Sequence, residues 1–143
     1  MSLVNCIASG ALGLSLSLAN AATVADVVAV VSSKSPVTTL NRNQVADIFL
    51  GKMSRFPNGE EVHPIDHAEG SAVRDEFYAS FAGKSAAQLK AHWAKIIFTG
   101  RGQPPETVSN SIEVKKLLAR HPHAIGYIEK HAVDGSVRVL LVE

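Results

Sequence analysis

The sequence predicts an α/β domain in which helices flank a mainly parallel sheet. Three observations carry that expectation. Runs of β-branched residues alternate along the chain with segments whose apolar residues recur at helical spacing. Asn41 and Ser85 stand where helix caps belong, and Gly51 stands where a helix should stop. The 143 residues, 46% apolar and 19% charged, suffice for one domain with its own core.

The elements follow in order. Residues 1–22, MSLVNCIASGALGLSLSLANAA, are uncharged, and their apolar run ends in Ala19-Asn20-Ala21, an export-peptidase cleavage pattern. We therefore expect a cleavable signal peptide at 1–21 and a folded domain at 22–143, although no basic residue precedes the apolar run. Gly, Ser and Asn make the segment a poor membrane span. Cys6 precedes most of the apolar run, whereas a lipid-bearing cysteine would follow it. Cleavage leaves no cysteine, which suits an oxidising compartment such as the periplasm.

DVVAVVSS (26–33) reads as a buried strand. The helix after Asn41 puts Val45, Ile48 and Phe49 on one face, and Asn58-Gly59 centres a turn. EVHPID (61–66) is a short strand that Pro64 pushes toward an edge. Val73, Phe77 and Phe81 align on the next helix. Ser85 opens another, with Leu89, Trp93, Ile96 and Ile97 as its apolar face. TGRGQPPETVSN (99–110) reads as a loop, SIEVKKLLAR as a helix, AIGYI as a buried strand and SVRVLLVE (136–143) as a final strand. The 14 basic and 13 acidic residues all lie beyond position 25 and leave a net charge of +1, so no nucleic-acid partner is expected.

The stretch IDHAEGSAVRDEF (65–77) carries the functional question. Arg74 falls in the first turn of a helix, where the macrodipole favours anions rather than cations. One reading is a solvated side chain pairing with Asp75 or a neighbour. The other is a turn whose backbone N–H groups hold an anion, with Arg74 closing the side. On the second reading, Arg74→Ala without an anion should be neutral or slightly stabilising.

NQVADIFLGK, HAEGSAVRDEF and HPHAIGYIEK, in that order, resemble segments of the phosphate-binding proteins of ABC uptake systems. There the corresponding segments read as a leucine-rich helix ending L-G-K, an R-x-D-G-S-G-T loop, and P-G-A-I-G-Y. The resemblance covers nearly all of residues 27–130 and implies a single three-layer lobe of the type II periplasmic binding-protein fold. The family usually closes two such lobes over its ligand. Carried over by position, Gly70 and Ser71 match, whereas Ala72 replaces a Gly, Val73 a Thr, His67 an Arg and Glu69 an Asp. The implied anion site comprises His67, Gly70, Ser71, Ala72, Val73 and Arg74, with the amides of residues 71–74 as donors. Losing one charge-assisted bond costs about 1.5–3 kcal/mol and one neutral bond about 1 kcal/mol, so weak binding is expected.

The resemblance thus implies an exported protein that binds phosphate or a similar small oxyanion, for uptake or sensing, with a membrane transporter or sensor as partner. The alternative is a periplasmic interaction module without a ligand, docking on a receptor, a transporter or a second copy as a homo-oligomer. Arg101 with Ser109-Asn110-Ser111 offers either a second anion-facing cluster or a solvated connection. His63/His67 and His121/His123 have spacings a metal uses, but no cysteine or paired carboxylate supports them, so no metal is expected. Ser71 with His67 lacks an oriented third group, so neither catalysis nor a cofactor is expected. Trp93 and Tyr127 read as core or rim residues.

Overall fold

Strand β1 (Val27–Ser32) lies inside a five-stranded sheet with β3 (His63–His67), β4 (Glu106–Val108), β5 (Ala124–Glu129) and β6 (Val137–Val139), in the order β4-β3-β5-β1-β6. This computed structural model describes residues 26–143; the expected signal peptide, with Cys6, lies outside the described residues. β3 pairs in parallel with β4 and β5, whereas β1 is antiparallel to both β5 and β6. Four strands therefore point one way and β1 alone is reversed, which gives the mainly parallel sheet expected. A small second sheet pairs β2 (Thr39–Leu40) in parallel with β7 (Leu141–Val142).

Helices α1 (Arg42–Phe49), α2 (Ala72–Ala82) and α3 (Ala86–Phe98) cover one side of the main sheet, and α4 (Ser111–Arg120) covers the other. Side-chain alternation along the strands divides the core accordingly. Ala29, Val31, Ile125 and Tyr127 pack toward α1 and α2, while Val30, Ile65 and Ile128 pack toward Val114 and Leu118 of α4. Gly126 lets α4 approach: a Cβ there would lie 2.6 Å from the Val114 side chain. Asn41 with Gln44 and Ser85 with Gln88 form reciprocal capping boxes at α1 and α3.

Three departures from the sequence reading have physical causes. Residues 106–108, expected within a loop, form β4, a strand too short and too polar to show an alternating pattern. The final run divides at Leu140, with Val137–Val139 joining β1 and Leu141–Val142 joining β2. Pro64 does not place β3 at the sheet edge, because β4 lies outside it. Pairing with β4 starts only at Ile65, however, so Pro64 costs no ladder bond on that side.

Candidate functional site

The connection from β3 to α2 is held at both ends. Ala68 N–H donates to Val108 O at 3.0 Å, and Ser71 N–H donates to Ala68 O at 3.1 Å. Gly70 takes φ 89°, a conformation that suits glycine alone. Ser71 is the N-cap of α2: its Oγ accepts from Arg74 N–H at 3.3 Å and its carbonyl from Asp75 N–H at 3.1 Å. Of the four amides expected to face an anion, those of Ser71 and Arg74 are therefore engaged. Those of Ala72 and Val73, in the first turn, have no acceptor among the described residues. The Ser71 hydroxyl still has its own proton to donate.

Arg74 owes its place at the helix start to Asp66. Its Nε lies 3.5 Å from Asp66 Oδ2, close enough to pair but without hydrogen-bond alignment. Asp66 is 1% exposed. Tyr78 Oη donates to its Oδ2 at 2.7 Å, Tyr127 Oη donates to its Oδ1, and His67 N–H donates to Oδ1 at 2.8 Å. Burial, then the adjoining carboxylate, pushes both tyrosine hydroxyls well above their usual range, so they keep their protons. Arg74→Ala would weaken the compensation of a buried carboxylate, which overturns the expectation that it is neutral without an anion.

His67 lies behind the loop. Its ring is buried, with Nε2 hydrogen-bonded to Tyr127 O at 2.8 Å and the ring 4.8 Å from that of Tyr127. No hydrogen bond joins it to Ser71. His63 pairs with Glu106 and His123 with Glu60, each at 3.0 Å. Among the described residues, no group of three or more His, Cys, Asp or Glu is arranged to hold a metal. Asn110 caps α4 and the Ser111 hydroxyl donates to Glu129 at 2.7 Å, so these two side chains serve the fold.

A cleft of about 450 Å³ opens beside the loop, lined by Glu69, Arg74, Lys90, Trp93, Ile97 and Thr107 among others. Arg74 and Lys90 bring two positive charges and Glu69 one negative. Trp93 is 6% exposed, and its Nε1–H has no acceptor among the described residues. Sequence reasoning missed Lys90 and Thr107, which come from α3 and the unrecognised β4. It also missed the Asp66–Tyr78–Tyr127 network, although strand alternation at Ile65-Asp66-His67 and the four-residue spacing of Arg74 and Tyr78 are visible signals.

No family model matches the chain, and no curated relative matches it. Among solved structures, a protein assigned as a phosphate ABC transporter substrate-binding protein from Clostridium perfringens, with bound phosphate, is 24% identical with a TM-score of 0.64. That match covers 81% of this chain and 44% of the other. An ABC-type phosphate transport receptor from Vibrio cholerae is 20% identical, with a TM-score of 0.65 and coverage of 81% and 45%. PstS from Borrelia burgdorferi is 16% identical, with a TM-score of 0.62 and coverage of 82% and 47%. The chain shares the fold of these binding proteins and spans less than half the length of each.

Proposed function

We propose that the chain is an exported solute-binding protein, not an enzyme, that holds phosphate or a similar small oxyanion weakly at the start of α2. The observation that carries this reading is the donor set left over in one place. The Ala72 and Val73 amides lack acceptors, Ser71 retains a hydroxyl proton, and Arg74 faces the adjoining cleft. Lys90 and the Trp93 side chain line the same cleft. Helix N-terminal amides joined by a guanidinium suit an oxyanion. The shared fold supports the reading, since the Clostridium perfringens protein was solved with phosphate bound. His67 contributes by fixing β3 against Tyr127 rather than by touching the ligand.

Calorimetry with phosphate and sulfate tests this. Affinity in the millimolar to high micromolar range is expected, about 4–6 kcal/mol. Arg74→Ala should weaken it by about tenfold or more and Ser71→Ala by less, with Arg74→Lys retaining part of it. Val73→Thr, which adds a hydroxyl, should tighten it. Undiminished binding by a folded Arg74→Ala protein would reduce the turn to a helix start.

A second reading, a ligand-free interaction module, draws on Ile97 and Phe98, which are 55% and 92% exposed at the end of α3. Such a patch suits a protein partner or a second copy. Self-association lost in Phe98→Ser, with no anion binding in the wild type, would favour it. Neighbouring permease and ATPase genes would favour uptake, and a neighbouring sensor kinase signalling.

A further inference from the structure

On the other flank of α3, a second cleft of about 690 Å³ is lined by Gly51, Lys52, His92, Lys95, Thr99 and Arg101 among others. Its three cations come from three separate segments: the turn after α1, α3 itself and the loop that follows α3. No acidic residue lines the cleft. Among the described residues, none of the three is within ion-pair distance of a carboxylate.

Two helices end here, and their negative C-terminal poles are the ordinary reason for cations to gather. Five of the local carbonyls are already taken, however. Leu50 O is hydrogen-bonded to His92 Nε2 at 2.8 Å, Asp47 O accepts from Lys52 and Met53 N–H, and Ile48 O accepts from Gly51 N–H. Lys95 O accepts from the Thr99 hydroxyl and N–H, and Ile96 O from the Thr99 hydroxyl and Arg101 N–H. The Lys52, Lys95 and Arg101 side chains make no hydrogen bond to any of them. Three positive charges are thus brought to one concave surface without a protein counter-charge.

We propose that this cleft is a second anion site, for phosphate groups carried at least two to a ligand. A single small oxyanion would leave most of the cleft unfilled and most of its charge unneutralised. A guanidinium and two ammonium groups suit phosphate oxygens by bidentate and point-charge contact. Free diphosphate and the headgroups of an anionic lipid surface present the same chemistry. The site is independent of the loop before α2, because none of its lining residues is shared with that cleft.

Pyrophosphate titration by calorimetry at low ionic strength tests it. The chain's single tryptophan gives a second readout, since a Cβ on Gly51 would lie 2.9 Å from the Trp93 indole. Pyrophosphate should bind at least about tenfold more tightly than orthophosphate and weaken as salt is raised. Lys95→Ala and Arg101→Ala should each weaken it by about fivefold or more, and the double variant should nearly abolish it, whereas Lys34→Ala, at an exposed lysine outside both clefts, should leave it unchanged. In a parallel arm, the protein is sedimented with phosphatidylglycerol or phosphatidylcholine vesicles. Binding to phosphatidylglycerol alone, lost in the double variant, identifies the lipid surface as the source of phosphate. Absence of binding to both pyrophosphate and phosphatidylglycerol would overturn the proposal. So would binding that survives the double variant, whereas orthophosphate binding at α2 is judged separately by its own dependence on Arg74.

Discussion

Asp66 draws three hydrogen-bond donors and the Arg74 guanidinium around two buried oxygens, and its neighbours include both tyrosines of the chain. The consequence is readable in alkali. Unfolded tyrosines lose their protons near pH 10, whereas Tyr78 and Tyr127 hold theirs well above that in the folded state. Their contribution to stability is fully present below about pH 10 and falls as pH rises further, by up to about 1.4 kcal/mol per pH unit for each tyrosine. Tyrosinate absorbance at alkaline pH should therefore appear only together with loss of far-UV dichroism. Ionisation in a chain that remains folded would contradict this. Asp66→Ala strands two hydroxyls and a largely buried guanidinium, and should cost about 3–5 kcal/mol in urea denaturation. The sequence reading met Arg74 as an anomaly, because its partner lies eight residues earlier on a strand rather than on its own helix.

At the scale of elements, the contact between α4 and β5 sets the tightest constraint. Gly126→Ala would push into Val114, and about 1–3 kcal/mol of destabilisation is expected. Adding Val114→Ala should recover part of it, which thermal denaturation of the single and double variants would reveal. Ser71→Ala removes the cap of α2 and should cost about 1 kcal/mol without any anion present. The α-helices were legible because each repeats its apolar face over two or more turns, and because Asn41 and Ser85 announce two of them. β2 and β4 were not, since two or three residues cannot display a period. The candidate site was legible at Gly70, Ser71 and Arg74. Its far wall was not, because Lys90, Trp93 and Thr107 meet the loop only through tertiary packing.

Across the whole molecule, export is the testable expectation: fractionated cells should yield a periplasmic product starting near Ala22, and a cytoplasmic full-length chain retaining Cys6 would refute it. The reversed strand β1 has a bearing on that route. It is the first of the described strands to be made, yet both of its neighbours, β5 and β6, come much later in the chain, with Val27 opposite Glu129 and Ser32 opposite Val137. Such distant pairings close slowly, since the intervening chain must first be gathered. While the ribosome is still short of Ala124, β1 has no edge to pair with, and the main sheet is missing its centre. A fragment ending at Pro122 should accordingly lack the cooperative unfolding transition of the full chain in circular dichroism. A nascent polypeptide that stays open until β5 and β6 emerge can be threaded through a membrane pore without first being pulled apart.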